Sequence, residues 1–100
     1  MTNKPHPKSH IYVMSDGHAV KIGVAGHVAN RRNGMQGGNP RLIVVIYASM
    51  ALPNLLAFTI EKEVHRKLAA VRLEAEWFAT DAGIAVQHVE KCIANKFFSK

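Results

Sequence analysis

The sequence predicts an α+β domain: a small three-stranded antiparallel sheet flanked by helices, in the order β-β-α-β-α-α. Three observations carry that expectation. Two β-rich runs, Ile11–Met14 and Ala19–Val24, are separated by Ser15-Asp16-Gly17-His18, and Asp-Gly is a strong hairpin-turn signal. A third apolar run, Leu42–Tyr47, is dominated by β-branched residues. Two later stretches place apolar residues at helical spacing.

Each element follows in order along the chain. Residues 1–9 form the expected flexible basic arm, since Pro5 and Pro7 block regular structure, and residues 10–100 the domain. After the hairpin, Gly26-His27 gives a loop and Val28–Asn33 a short helix that Gly34 ends. Gln36-Gly37-Gly38-Asn39-Pro40 is a turn cluster that forces an extended exit. The run Leu42–Tyr47 then has the pattern of a strand buried on both faces, which puts it at the centre of the sheet. A long helix is expected from Pro53 to Val71, with proline in its first turn. Leu56, Ile60, Val64, Leu68 and Val71 make its apolar stripe, with Glu61, His65 and Arg72 along one flank and Lys62 and Arg66 toward solvent. Leu73–Phe78 is a short extended piece with the sole tryptophan. The last helix, Asp81–Phe97, buries Val86, Val89, Ile93 and Phe97, with Thr80 or Asp81 at its N-cap.

Composition bounds the function. A hydrophobic fraction of 48% supports a folded core. Lysine and arginine total 13 against 7 acidic residues, a net charge of +6. Such an excess suits a polyanion, DNA or RNA, although a solvated basic surface has the same composition. The lone Cys92 makes neither an internal disulfide nor a thiolate metal site, and six histidines without paired cysteines or an HExxH pattern argue against structural zinc. The N-terminus has no apolar segment of signal-peptide type. The most apolar run, Leu42–Leu52, falls short of the roughly 20 residues that span a bilayer. The expected setting is a reducing cytoplasm, away from membranes.

Several side chains are candidates for chemistry, each beside a plainer reading. Tyr12 faces away from Ile11 and Val13, either as a half-buried strand aromatic or with its hydroxyl lining a cleft. Lys21 is a solvated charge or a phosphate contact. Arg31 and Arg32 are adjacent and point in different directions, so one suits a bidentate phosphate clamp and the other the surface. Glu61 and His65 stand one helical turn apart at the border of the buried face. There Glu61 either pairs with a nearby lysine or arginine or holds a hard cation such as Mg²⁺. Trp77 and Phe78 suit base stacking, with core packing as the default.

His10-Ile11-Tyr12, Lys21-Ile22-Gly23, Arg31 and Glu61 follow one another in a recognisable order. With Gln36-Gly37-Gly38-Asn39-Pro40 and Glu76-Trp77-Phe78, they resemble the GIY-YIG endonuclease superfamily. The likeness is closest to its phage-associated DNA-binding branch, which includes the meiotically up-regulated gene type of domain. The resemblance covers residues 10 to about 90. It implies a three-stranded antiparallel sheet with helices and a metal-dependent phosphodiesterase site. Tyr12 matches the first signature tyrosine, Arg31 the phosphate-binding arginine and Glu61 the metal-binding glutamate. His10 stands where the family has its first glycine, and Lys21 where it has its second tyrosine. The expected function is a nuclease using Mg²⁺ or Mn²⁺ to hydrolyse phosphodiester bonds, in DNA, with Tyr12, Lys21, Arg31, Glu61 and His65 as catalytic residues. Lys21, Arg31, Arg32 and Arg41 are the expected nucleic-acid contacts. The alternative is a non-catalytic binding module using the same cleft. A module of this size offers little surface for reading sequence, so a homodimer or a larger phage or defence assembly is expected to supply specificity. The five catalytic candidates should converge on one solvent-open cleft.

Overall fold

The first turn is built by a side chain. Asp16 Oδ1 accepts the backbone N–H groups of His18 and Ala19 at 2.8 and 2.9 Å, and Gly17 supplies the left-handed residue at φ 92°. In the computed structural model, which describes residues 7–98, this turn joins β1 (Lys8–Ser15) to β2 (Val20–Ala25). The strands run antiparallel with Tyr12 opposite Gly23 and Met14 opposite Lys21. Of the arm expected over 1–9, Lys8 and Ser9 already belong to β1, and residues 1–6 lie outside the described residues.

The class is α+β, with an antiparallel sheet and three helices, but the sheet has six strands where three were expected. Besides β1 and β2 they are β3 (Val44–Ala48), β4 (Leu52–Pro53), β5 (Arg72–Glu74) and β6 (Trp77–Phe78). Their order is β3-β1-β2-β6-β5, with β4 added at the start of β1 through Lys8–Pro53 and Ser9–Leu52 pairs. The additional strands have two or three residues each, too few for hydrophobic alternation to register. The β5–β6 link passes through Ala75 at φ 52°, a conformation that a non-glycine residue rarely adopts.

The centre of the sheet is β1, and the run expected there lies at the edge. In β3, Val44, Val45 and Ile46 are 46%, 37% and 46% exposed, whereas Ile11, Tyr12, Val13 and Met14 of β1 are fully buried. Four successive buried residues require cover on both faces, which β1 receives and β3 does not. A β-branched run reads as doubly buried because strand propensity and burial select the same residue types.

The two sheet faces carry separate clusters. On one, Ile11, Val13, Ile22 and Val24 meet Ala57, Ile60 and Val64 of α2 (Asn54–Lys67) and Ala85, Val89 and Cys92 of α3 (Ala82–Phe98), with Phe78 between. On the other, Tyr12, Met14, Ala25 and Ile43 lie under Val28 and Met35 of α1 (Val28–Gln36). Helix α1 continues through Gly34, where it was expected to end, and is capped at Gly37. Helix α2 ends at Lys67, and a 3₁₀ turn over Ala69–Val71 replaces its expected last turn, leaving Val71 36% exposed. Asp81 caps α3 as expected, accepting the Gly83 N–H at 2.8 Å. Phe97, expected in the core, is 49% exposed. Among the described residues, no helix is long and apolar enough to cross a membrane.

Phe78 is fully buried and shared by sheet and helices. Phe78→Ala is expected to cost about 3–5 kcal/mol of stability in chemical denaturation. Ile46→Thr on the open strand should stay within about 1 kcal/mol.

Candidate functional site

Tyr12 explains the glycine across from it. A Cβ at position 23 would stand 2.6 Å from Tyr12 Cζ and collide with the hydroxyl as well, so the phenol fills the space that any side chain would take. Tyr12 is fully buried, and among the described residues its hydroxyl has no hydrogen-bond partner. Leaving such a group unpaired costs about 1–3 kcal/mol. Burial raises the phenol's pKa, and the negative charges of Glu76 and Glu61 add to the rise. Arg31 on α1 pulls the other way from close by, but its guanidinium stands outside hydrogen-bond geometry. The hydroxyl therefore keeps its proton at neutral pH.

Glu61 occupies the same electrostatic neighbourhood. It is half-buried on α2, and burial first, then the charge of Glu76, hold its carboxyl above the ordinary range. His65, Lys21 and Arg31 oppose that rise. Lys21 of β2 faces Glu76 at 3.7 Å and lies 5.9 Å from the centre of the Trp77 ring. Charge thus links Tyr12 of β1, Arg31 of α1, Lys21 of β2 and His65 of α2 to Glu61, and Glu76, from the β5–β6 link, acts on Glu61 and Tyr12.

The arrangement differs from the expected open cleft at Tyr12, which is sealed from solvent, while Arg31 is exposed. His65 serves the fold directly. Its Nε2 is 2.8 Å from the Ile22 carbonyl oxygen. A carbonyl only accepts, so Nε2 carries the proton, and the ring packs 5.0 Å from that of Phe78. This contact pins α2 to β2 one turn from Glu61.

The other expected contacts separate from this group. Arg32 donates from Nε to the Ile43 carbonyl at 2.9 Å, and its remaining amino groups reach Asn33 Oδ1 and Gln36 Oε1 at 3.0 Å each. Its donors tie α1 to the entry of β3, which leaves Arg31 as the outward guanidinium of the pair. Gln36 completes the tie, accepting the Ile43 N–H at 2.7 Å and donating to the Arg41 carbonyl at 2.9 Å. Arg41 itself faces Asp16 at 3.9 Å and lines a hollow of about 540 Å³ beside the hairpin turn with His18, Leu42 and Ile46. Sequence reasoning missed Glu76 and Gln36 as organising residues. Glu76 lay within a noticed motif, but its partner Lys21 is distant in sequence.

The T5orf172 domain model matches residues 9–96 of this chain. The chain belongs to the T5orf172 domain family. That match overturns the resemblance to the GIY-YIG endonucleases, whose family model does not match. The short motifs misled because several serve the fold. Gly23 is required by Tyr12, and Phe78 by the core, so both residues answer to packing in this fold. No curated protein and no solved structure matches this T5orf172 chain.

Two outcomes follow from the buried polar groups. Tyr12→Phe removes an unpaired hydroxyl and leaves the ring in place, so stability should be unchanged or up to about 2 kcal/mol higher. A clear loss in chemical denaturation would mean that the hydroxyl has a partner. Glu61 binds its proton more tightly in the folded chain than in the unfolded one, so folding loses stability as pH rises from the ordinary value of 4.5 through the folded pKa. Glu61→Gln removes this dependence. Urea titrations at several pH values should show wild type and variant alike below that window, with the variant more stable above it.

Proposed function

We propose that the Arg31 face of this T5orf172 domain binds the phosphodiester backbone of a nucleic acid, and that it hydrolyses DNA when a divalent cation is held at Glu61. One observation carries the reading. The cation Arg31 and the carboxyl of Glu61, its pKa raised, both act on an unpaired, buried hydroxyl, and Lys21 acts on that same carboxyl, the four groups coming from four separate elements. The net charge of +6 favours a polyanion, and the family supports a phage-associated, nucleic-acid-related role.

The roles follow from donor chemistry. Arg31, exposed and with no carboxylate paired to it among the described residues, would grip non-bridging phosphate oxygens through its planar donors. Lys21 would add a point charge beside it. Tyr12, sealed from solvent and holding its proton, would touch no substrate and serve as neither donor nor base; its ring would pack beneath the helix that carries Arg31. The metal fits in one respect only. Among the described residues, no three His, Cys, Asp or Glu side chains gather as ligands, so Glu61 would be the single carboxylate on Mg²⁺ or Mn²⁺, with phosphate and water completing the shell. Such a cation, when bound, neutralises phosphate charge and acidifies water. His65 would hold Glu61 in place through its bond to β2.

The test separates binding from cutting. A labelled oligonucleotide should bind at low salt and release as salt rises. Arg31→Ala should weaken affinity by about tenfold or more and lower the salt slope by about one. Glu61→Ala should abolish Mg²⁺- or Mn²⁺-dependent nicking of plasmid DNA and leave affinity intact. Nicking that survives Glu61→Ala would remove hydrolysis from this site. No binding of DNA or RNA at low salt would sink the whole reading.

A further inference from the structure

Glu76 has no place in the roles just described, yet it acts on Lys21, Glu61 and Tyr12. Its carboxylate lies 3.7 Å from Lys21 Nζ, and its charge disfavours ionisation of both Glu61 and Tyr12. The backbone beneath it is fixed. The Glu76 carbonyl accepts the Ile22 N–H at 3.3 Å, and the next residue, Trp77, is paired in register with Lys21. Ala75, at φ 52°, sets the tight bend that delivers Glu76 to this position.

Lys21 is equally confined. Its side chain is 18% exposed, with the Trp77 ring 5.9 Å from Nζ. An ammonium held in so little water needs a counter-charge nearby. Glu76 supplies one, but loosely. At 3.7 Å the pair lies outside hydrogen-bond length, and the Glu76 side chain is 39% exposed. The carboxylate is thus a weakly held, solvent-accessible anion on a cation that is otherwise shielded.

We propose that Glu76 is an internal stand-in for phosphate: its carboxylate neutralises Lys21 in the free protein, and a nucleic-acid phosphate displaces it on binding. The inference rests on the phosphate-binding reading above. A phosphodiester oxygen offers Lys21 the same charge as the carboxylate, and Arg31 binds the same group at the same time. Glu76, half open to solvent, swings out as the phosphate enters. Its departure also removes a negative charge from beside Glu61. Glu76 is therefore a positioning residue that sets the threshold for phosphate binding, because every ligand must compete with it.

Glu76→Gln tests this while keeping the side chain's shape. In anisotropy titrations with a labelled DNA oligonucleotide, Glu76→Gln should bind about 3–10-fold tighter than wild type. Glu74→Gln removes the same charge two residues away on β5, where the side chain is exposed and pairs with no described cation, and it should change affinity less than twofold. Lys21→Met should weaken binding sharply, since Glu76 then faces the phosphate uncompensated. Adding Glu76→Gln to Lys21→Met should recover much of that loss. Glu76→Ala replaces the glutamine variant if thermal melting shows the latter unfolded.

Affinity of Glu76→Gln at or below wild type overturns the proposal and leaves Glu76 a structural ion pair. An equal gain in Glu74→Gln overturns it too, by reducing the effect to overall charge. Arg31→Ala keeps the two readings apart. If Arg31→Ala loses binding and Glu76→Gln gains none, the stand-in alone is refuted. If wild type binds no nucleic acid, the phosphate reading falls and takes the stand-in with it.

Discussion

Strand β1 has to fill two cores at once. Four successive residues, Ile11 to Met14, are fully buried and alternate between the α2/α3 face and the α1 face. The rest of the sheet is arranged to permit this. Strands β2 and β3 flank β1, two helices cover one side, and α1, with the Arg32–Gln36 tie to Ile43, covers the other. A shift of one residue in β1 would exchange the faces and send Tyr12 into the larger cluster. The site would disperse with it, because Arg31 comes from the helix above Tyr12 and Lys21 from the strand beside it.

The charges acting on Tyr12 are of both signs, Arg31 against Glu61 and Glu76, and Lys21 faces Glu76. Water screens Lys21 and Glu61 incompletely, so each depends on its neighbours. The balance is uneven. Glu76 depresses the ionisation of two acids while steadying one lysine, and Arg31 remains exposed with no carboxylate of its own among the described residues. An arriving anion meets an unmatched guanidinium, whereas the carboxylates are already restrained by burial and by one another.

Local signals were legible where chemistry is local. The Asp16-Gly17 turn, the Ile60–Val64 stripe of α2 with Leu68 just past its end, and a cap at one of the two expected positions, Asp81, are each readable within a few residues of sequence. What failed depends on partners far along the chain. Val44–Ala48 has the composition of a central strand, but rank in a sheet is decided by the other strands. The pieces Leu52–Pro53, Trp77–Phe78 and Arg72–Glu74 become strands only because β1, β2 and β6 respectively offer them hydrogen bonds. The site followed the same division. Tyr12, Lys21, Arg31, Glu61 and His65 could be singled out by residue type, and the structure links each of the other four electrostatically to Glu61. The pairing of Glu76 with Lys21, and the diversion of Arg32 into the fold, arise from a hairpin and a loop that no periodicity announces. Short motifs misassigned the family for a related reason: a glycine under an aromatic ring records packing before it records ancestry.

The fit of Tyr12 over Gly23 makes two positions into one unit of change. A side chain at 23 has nowhere to go while the phenol is present, and a smaller residue at 12 leaves a void beneath α1. Neither position can drift alone without a packing fault in a cluster that, among the described residues, has four buried members. A viable route through sequence space must alter both together or retain both. The pair therefore shelters the buried hydroxyl from gradual loss: the ring beneath it is held by a neighbour with no side chain left to trim.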